Sequence, residues 1–319
     1  MPERVLITGI TGFLGGYLAE HLLEAGDHLL GCAPEGRWDP FSPPELIGRA
    51  PLVAWDLGEE EGLGDEARRQ VDAFAPTRIY HLGALSVPAD CGQDAPSARA
   101  MAVNVAGIRR VLDLAAALPQ RPRVLLLSSA HVYARSWSKP TLVAEDAPLG
   151  PLFGYGQSKL LAEQELLAAV RERHLHGLVV RGFQHTGPRQ APRLMLPQWC
   201  QQFAAGNGPV EVYTRDAWID LTDARDAVRA FRLVMEHGRP GEVFNVGSGV
   251  PRRSGEVLEI LRALAGPERP IIEKRPGIRY DPIADARRLK ARTGWQATIP
   301  LEQTVRETWA WWREQTPGL

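Results

Sequence analysis

Short apolar runs alternate with longer amphipathic stretches along the first 182 residues. Residues 5–7 form the first apolar run, and residues 12–25 carry leucines on one helical face. Five further apolar runs follow, at residues 28–32, 52–55, 78–82, 124–127 and 178–181. Buried strands that alternate with helices are typical of a parallel sheet covered on both faces. The pattern therefore predicts a doubly wound α/β fold.

The character of the chain changes after residue 182, where prolines become frequent and the apolar runs become short. Residues 223–236 predict a helix, and residues 243–246 predict a buried strand that rejoins the main sheet. We predict a main domain of residues 1–181 plus about 217–248. A smaller, discontinuous C-terminal α/β domain is predicted to take in about 182–216 plus 249–319. In folds of this kind, ligands bind outside the carboxyl ends of the strands.

Composition and charge narrow the class of partner. The chain has 319 residues and a formal net charge of −1, so nothing predicts binding to nucleic acid or to an anionic membrane surface. Its three cysteines are far apart and indicate neither a metal site nor a disulfide framework. The sequence has no signal-peptide pattern and no apolar stretch of membrane-spanning length. We expect a cytoplasmic enzyme without a metal.

A glycine-rich segment follows the first predicted strand directly. Gly9, Gly12 and Gly15 have the spacing G-x-x-G-x-x-G and precede a predicted helix. Glycines there let the backbone approach a pyrophosphate, while the N–H groups at the start of the helix point at the anion. The strand and the helix on either side are the context that this motif requires. The segment predicts a Rossmann-type dinucleotide site in the main domain.

The end of the second strand bears on the choice between NAD and NADP. NAD-binding proteins usually have an acidic residue there, which bonds the adenosine ribose. This chain has Ala33, with Arg37 close behind and Glu35 between them. A missing acid and a nearby guanidinium suit a 2′-phosphate, so the sequence leans towards NADP(H) and leaves NAD(H) open. Asp56, after the third strand, is expected near the adenine.

Tyr155 and Lys159 lie four residues apart at the start of a predicted helix, hence on one face. An ammonium beside the phenol is expected to lower the tyrosine pKa towards values useful for acid–base catalysis. Ser128 and Ser129 end the buried strand at residues 124–127, where a hydroxyl can bond a substrate carbonyl oxygen. Three motifs in this order predict a Ser–Tyr–Lys catalytic site.

With these motifs the chain resembles the extended short-chain dehydrogenases/reductases, the NAD-dependent epimerase/dehydratase group, over essentially its whole length. Residues 81–86 resemble the loop after the family's fourth strand, and residues 128–133 resemble its S-S-x-x-V-Y stretch. The resemblance makes Ser129, rather than Ser128, the catalytic hydroxyl. It also implies a homodimer formed by helices at 97–117 and 155–173. The cofactor residues that it and the glycine loop imply are Gly9, Thr11, Gly12, Phe13, Leu14, Gly15, Ala33, Arg37, Asp56, Leu57, Leu82, Gly83, Ala84, Ser86, Asn104, Tyr155, Lys159 and Phe183.

Within this group the C-terminal half is most similar to the GDP-4-keto-6-deoxy-D-mannose reductases. Residues 181–188 resemble R-P-F-N-H-T-G-P, and residues 220–230 resemble D-F-T-D-V-R-D-V-V-R-A. Gln184, Ile219 and Ile278 depart from the subgroup's asparagine, arginine and acid. A diphosphate favours a bidentate guanidinium. The substrate residues expected from this resemblance are Ser86, Ser129, His131, Gln184, His185, Arg215, Arg275 and Arg279.

The residues after Ser129 separate possible reactions. A 4,6-dehydratase of this group places Asp-Glu there as its acid–base pair, whereas this chain has Ala130 and His131, so dehydration is disfavoured. The favoured reaction is hydride transfer to the 4-keto group of a nucleoside-diphosphate hexose, with a GDP sugar preferred and Tyr155 as proton donor. A 4-epimerase that retains NAD is an alternative. A dinucleotide-sensing protein without catalysis is an alternative of another class.

Overall fold

The computed structural model describes residues 2–38, 42–134, 138–206, 208–266 and 269–316. Its main sheet has seven strands, all parallel, in the order β11-β7-β5-β4-β1-β2-β3. These strands are β1 (Arg4–Thr8), β2 (His28–Ala33), β3 (Leu52–Ala54), β4 (Arg78–His81), β5 (Arg123–Ser129), β7 (Gly177–Gly182) and β11 (Val243–Val246). The fold class predicted from the alternating pattern is confirmed.

Helices cover both faces of this sheet and bury an apolar core on each. One face carries α1 (Phe13–Glu24) and α7 (Ala224–His237), which pack on each other. The other face carries α2 (Asp65–Phe74), α4 (Gly107–Ala117) and α5 (Gly154–Arg173). The strands are therefore buried on both sides, which explains their continuous apolar runs.

The helix expected at 97–117 is divided. It consists of α3 (Ala98–Ala100), a π-helical segment (Met101–Ala106) and α4. A π-helical turn changes the direction of the side chains that follow it, and such turns are frequent at functional sites. This turn carries Asn104, whose contacts are described below.

The smaller sheets and the remaining helices lie mainly after β7. In one small sheet β10 (Ala217–Asp223) is flanked by β12 (Pro251–Arg253) and β14 (Arg279–Tyr280), and it also pairs with β8 (Gln184–Thr186). Two further pairs join β9 (Val210–Val212) to β13 (Ile271–Glu273) and β6 (Leu142–Val143) to β15 (Ile283–Ala284). A third core joins α6 (Met195–Ala204), α8 (Ser254–Ala265) and α10 (Leu301–Gln315), while α9 (Arg287–Thr293) contacts α7.

The strand at 243–246 rejoins the main sheet beside β7, as the sequence predicted. The segment 217–223 instead forms β10, which pairs only with the small strands. The domain boundaries stay a prediction. No helix among the described residues is long and apolar enough to cross a membrane. Within the same ranges, no group of His, Cys, Asp and Glu side chains has an arrangement that holds a metal ion.

Candidate active site

A cavity of about 670 Å³ lies at the carboxyl ends of β1, β4, β5 and β7, where the fold class predicts the ligand site. It extends from the glycine loop after β1, past the end of β5 and the start of α5, to β8 and the residues after β14. Ser129, Tyr155 and Lys159 all line it. So do the cofactor candidates Gly9, Thr11, Gly12, Phe13, Leu14, Gly15, Asp56, Leu57, Leu82, Gly83, Ala84, Ser86 and Phe183.

At Gly9 and Gly15, in and next to the loop between β1 and α1, the backbone leaves no room for a side chain. Gly9 has a φ of +71°, and a Cβ there would lie 2.6 Å from the Gly83 backbone. A Cβ on Gly15 would lie 2.1 Å from the carbonyl oxygen of Gly9. Gly12 precedes α1, whose first turn contains no acidic residue and receives no side-chain cap. The loop thus fits a pyrophosphate, which binds the free N–H groups at such a helix start.

At the end of the cavity where the sequence predicts the adenosine, the structure separates the predicted residues. Asp56 and Leu57 line the cavity, and Asp56 accepts hydrogen bonds from the Gly58 backbone at 2.7 Å and from Arg99 at 3.2 Å. Ala33, buried at the end of β2, is absent from the lining. Arg37 is absent too, because its exposed side chain pairs with Glu35.

Several residues at this end were not singled out by the sequence analysis: Cys32, Pro34, Trp55 and Arg99 all line the cavity. The first three lie at or just after the carboxyl ends of β2 and β3, so their position was a usable signal. Arg99 lies on α3 and reaches the cavity from another part of the chain, through its ion pair with Asp56. Sequence spacing alone does not indicate that contact.

Asn104 lies behind the cavity rather than in its lining. Its side-chain oxygen accepts from the Leu85 backbone N–H at 2.8 Å, and its amide donates to the Leu85 carbonyl at 3.1 Å. The same amide donates to the Ser158 hydroxyl at 3.0 Å. Asn104 therefore fastens the loop after β4 to α5, close to Tyr155 and Lys159.

The side chains predicted to be catalytic meet where β5 faces the first turns of α5. Ser129 lies close enough to Tyr155 to influence the pKa of its phenol, and the Ser129 hydroxyl accepts the His131 backbone N–H at 3.2 Å. The Lys159 ammonium donates to the Leu127 carbonyl at 2.9 Å. The His131 and Tyr155 rings pack edge to face, with centroids 5.5 Å apart. Residues on one strand end thus hold both helix residues of the predicted constellation.

The pKa of the tyrosine differs from the expectation. Burial raises the pKa of Tyr155 to about 12, and the neighbouring Ser129 hydroxyl offsets only part of that effect. Burial lowers the pKa of Lys159 to about 8. In this structure desolvation outweighs the expected effect of the ammonium on the phenol. Tyr155 is therefore a protonated acid at neutral pH.

A buried ionic network continues from this site and was not predicted. Glu163 lies one helical turn after Lys159 and is 1% exposed. Its carboxylate accepts a bidentate interaction from Arg181 on β7 and a hydrogen bond from the Ser128 hydroxyl at 2.5 Å. Tyr155, Lys159 and Glu163 thus follow one face of α5 at spacings of four, and Lys159 and Glu163 each form a hydrogen bond with the end of β5.

At the other end of the cavity the predicted substrate residues divide into two groups. His131, Gln184, His185 and Arg279 join Ser86 and Ser129 in the lining. Arg215 is absent from it and pairs with Glu259 at 3.0 Å. Arg275 is also absent and lies over the Tyr213 ring, 5.6 Å from its centroid.

Position 219 and position 278 differ in their surroundings. Ile219 is fully buried in β10, whereas Ile278 is 67% exposed. The residue that the sequence analysis missed here is Asp281, which lines the cavity and contacts both Gln184 and Arg279. Burial lowers the pKa of His185 to about 4, so its imidazole is neutral at physiological pH.

Comparison with known proteins agrees with this geometry. A family model described as the NAD dependent epimerase/dehydratase family matches residues 5–247. GDP-6-deoxy-D-mannose reductase of Pseudomonas aeruginosa is 26% identical over 99% of this chain and 99% of its own length. UDP-glucose 4-epimerase of Azospirillum brasilense is 27% identical over 99% of this chain and 94% of its own length. A solved structure of RMD from Pseudomonas aeruginosa complexed with NADPH has a TM-score of 0.82 and 26% identity, and covers 98% of this chain and 99% of its own.

The family resemblance expected from the glycine loop and the Ser–Tyr–Lys motifs is thereby confirmed, and so is the expectation of an enzyme. The matched segment runs from β1 to β11, the main-sheet strand that comes last along the chain, and so includes every strand of the main sheet. The chain belongs to the NAD-dependent epimerase/dehydratase family of short-chain dehydrogenases/reductases.

Proposed function

We propose that this protein is an NAD(P)H-dependent reductase that acts on the 4-keto group of a GDP-linked 4-keto-6-deoxyhexose. One observation carries the proposal. The neighbouring hydroxyl groups of Ser129 and Tyr155 lie in the same cavity as the glycine loop at one end and Gln184 and Arg279 at the other. A dinucleotide and a nucleotide sugar can therefore approach the same hydroxyl groups from opposite sides.

In the proposed reaction the bound reduced nicotinamide supplies the hydride. The C4–H bond forms, the carbonyl π bond breaks, and the oxygen takes the proton from the Tyr155 hydroxyl. The Tyr155 phenol is protonated at neutral pH and therefore has a proton to donate. Ser129 donates a hydrogen bond to the same oxygen and stabilises the developing negative charge. The Lys159 ammonium, held by the Leu127 carbonyl, stabilises the phenolate that forms when Tyr155 gives up its proton. The phenolate then takes a proton from solvent.

The residues after Ser129 support reduction over dehydration. Ala130 is buried and has no titratable group, and His131 packs its ring on Tyr155. Elimination of water from the hexose requires an acidic and a basic side chain of the protein. The residues that follow Ser129 at the end of β5 contain no such carboxylate pair. The similarity to GDP-6-deoxy-D-mannose reductase over 99% of both chains also favours a GDP-linked substrate.

We propose that the protein uses NADP(H), with NAD(H) as the second possibility. Support comes from the absence of an acid at Ala33 and from the NADPH in the similar solved structure. Arg37, by contrast, pairs with Glu35 and adds little net charge beside the adenosine end. If Arg37 is to favour NADP(H), its guanidinium must leave Glu35 and pair with the 2′-phosphate instead.

A homodimer and a cytoplasmic location belong to the proposal as well. The helices expected at the dimer contact, α4 and α5, already lie side by side. Arg109 bonds Glu165 at 2.5 Å, and Arg173 bonds Asp113 at 2.8 Å. Sedimentation velocity at micromolar concentration tests the dimer, which is expected at about twice the 35.1 kDa chain mass.

A 4-epimerase that retains NAD is the second candidate, because UDP-glucose 4-epimerase of Azospirillum brasilense is similar over 99% of this chain. It uses the same hydroxyl pair and consumes no cofactor. A catalytically silent dinucleotide sensor is the third, and it rests on the changed positions 184, 219 and 278. The complete set of Ser129, Tyr155 and Lys159 weighs against it.

One assay separates these candidates. The purified protein is first tested for co-purifying dinucleotide, and NADPH or NADH oxidation is then followed with freshly generated GDP-4-keto-6-deoxy-mannose. The proposal expects exchangeable cofactor and stoichiometric oxidation, faster with NADPH. Tightly retained NAD and interconversion of UDP-glucose and UDP-galactose without oxidation would establish the epimerase. Dinucleotide binding with neither activity would favour the sensor.

A further inference from the structure

The small sheet brings two distant segments together at the far end of the cavity. β14 pairs with the first residues of β10, and β8 pairs with its last residues, both in parallel. The residue after β14 is Asp281, and the residue that begins β8 is Gln184. The two residues, 97 positions apart in sequence, therefore meet along β10.

Asp281 holds two side chains with one carboxylate oxygen. The Gln184 amide donates to Asp281 Oδ2 at 2.9 Å, and the Arg279 guanidinium donates to the same oxygen at 3.1 Å. Asp281 is 5% exposed, and its backbone N–H is bonded to the Trp218 carbonyl at 2.9 Å. Arg279 is 53% exposed at its side chain. The buried carboxylate is thus the fixed member, and it orients the other two.

This arrangement determines what the cavity offers to a ligand. Because the Gln184 amide nitrogen is directed at Asp281, the Gln184 carbonyl oxygen is directed away from it and can accept a hydrogen bond from a hydroxyl. Arg279 keeps further N–H groups on its exposed side, and these suit phosphate oxygens. A ligand that satisfies both residues carries a hydroxyl group and a diphosphate close together.

We propose that Asp281 is a specificity-determining residue that favours a sugar-linked nucleoside diphosphate over the free nucleoside diphosphate. The inference rests on the proposed function, since it names the part of the substrate that this end of the cavity recognises. The terminal phosphate of a free diphosphate carries an additional negative charge, which the Asp281 carboxylate repels. In a sugar nucleotide the hexose replaces that charge and offers a hydroxyl to Gln184. Specificity then comes from a repulsive contact as well as an attractive one.

Asp281→Asn is the decisive variant, titrated by calorimetry with GDP and with GDP-mannose, which has no keto group to reduce. Loss of the repulsion should tighten GDP by about threefold. Loss of the charged hydrogen bond to Gln184 should weaken GDP-mannose by about tenfold. The two affinities thus move in opposite directions. A purely structural role would weaken both.

Two further variants and one control complete the experiment. Gln184→Ala should weaken GDP-mannose and leave GDP unchanged. Arg279→Gln, at a half-exposed position that tolerates substitution, should weaken both ligands by about tenfold. Asp216→Asn is the matched control. Asp216 lies directly before β10, pairs with Arg253 and is absent from the cavity lining. This variant should change neither affinity.

Two outcomes overturn the inference in distinguishable ways. If the wild-type protein binds GDP-mannose and Asp281→Asn changes both affinities by the same factor, the role of Asp281 is wrong and the proposed function stands. If the wild-type protein binds NADPH but binds neither GDP and GDP-mannose nor UDP and UDP-glucose, both are wrong. Should Asp281→Asn fail to fold, Gln184→Ala decides, and an equal change of both affinities in that variant overturns the inference.

Discussion

Arg181 on β7 grips Glu163 on α5 through three N–H to oxygen contacts of 2.8 to 3.2 Å, in a position where both side chains are almost fully buried. Glu163 lies one turn beyond Lys159. Burial lowers the pKa of that ammonium, and Cys91 and then Glu163 raise it against this effect. The ion pair therefore connects the packing of α5 with the charge of Lys159, a residue of the proposed catalytic site.

Glu163→Gln should lower the free energy of unfolding and move the alkaline loss of activity to lower pH. Breaking one partner of a buried pair costs about 3 to 5 kcal/mol, because Arg181 keeps its charge without a carboxylate. With the negative charge gone, the pKa of Lys159 should fall below its value of about 8, and the alkaline limb of kcat/KM should move to lower pH. Urea denaturation and a pH profile measure the two effects.

Glu165→Gln is the matched control for that change. Glu165 lies on the same helix two residues later and pairs with Arg109, which is more than half exposed. Exposed pairs contribute about 0 to 1 kcal/mol, so this variant should lose little stability and keep the wild-type pH profile. An equal shift of the pH profile in both variants would rule out a specific effect of Glu163.

Ser128 and Ser129 are adjacent but should respond differently to alanine. Ser129 lines the cavity beside Tyr155, so Ser129→Ala should lower kcat by about a hundredfold or more while the melting temperature changes little. Ser128 bonds the Glu163 carboxylate, so Ser128→Ala should lower the free energy of unfolding by about 1.5 to 3 kcal/mol. Steady-state kinetics and urea denaturation on the two variants test this division. Equal loss of kcat in both would contradict it.

Replacement of Tyr155 by Phe removes the proposed proton donor and keeps the ring. We expect kcat/KM to fall by about a hundredfold to ten-thousandfold, the contribution of general acid catalysis. NADPH affinity, measured by fluorescence titration, should stay close to the wild-type value. Tyr213→Phe, at an exposed ring outside the cavity, is the control and should keep full activity. Retention of most activity in Tyr155→Phe would refute the proposed mechanism.

The sequence predicted the parts of the site that depend on local spacing. The glycine loop and the pair of Tyr155 and Lys159 each lie within one turn or one helix, so their residues must be neighbours once the element is identified. Asp281 gave no such signal, because its partner Gln184 is 97 residues away and the two meet only through pairing with β10. In the sequence Glu163 resembles an ordinary polar residue of a helix. Its burial becomes apparent only in the tertiary structure, where Arg181 on β7 pairs with it.

The exposed arginines show a second limit of sequence reasoning. Arg37, Arg215 and Arg275 have the right charge for phosphate, yet Glu35, Glu259 and the Tyr213 ring hold them outside the cavity lining. A long flexible side chain takes its direction from the partner that it meets, and that partner is set by the tertiary structure. The choice among several arginines therefore could not be made from charge and spacing alone.

The pH dependence of the wild-type enzyme should report Lys159. The pKa of Tyr155 is raised to about 12 and that of Lys159 is lowered to about 8, so the lysine is the first of the two to lose its proton as pH rises. We expect kcat/KM, which reports the free enzyme, to decline above about pH 8. Lys159→Arg keeps its charge at every accessible pH and should lack this decline, at a lower overall rate. A decline at the same pH in Lys159→Arg would assign it to another group.

Two adjacent glycines test the assignment of the glycine loop to the dinucleotide, because a side chain would clash at Gly15 and would not clash at Gly16. A Cβ on Gly15 would lie 2.1 Å from the Gly9 carbonyl oxygen and 2.7 Å from the Ile10 Cα, both backbone atoms that cannot move without displacing the loop. Gly15→Ala should therefore lose measurable NADPH binding and about 1 to 3 kcal/mol of stability. A Cβ on Gly16, the next residue of α1, meets nothing within 4 Å. Gly16→Ala should keep NADPH binding and gain up to about 1 kcal/mol, because alanine favours the helix. Fluorescence titration and urea denaturation measure both variants, and equal NADPH affinity in the two would contradict the assignment of this loop to the pyrophosphate.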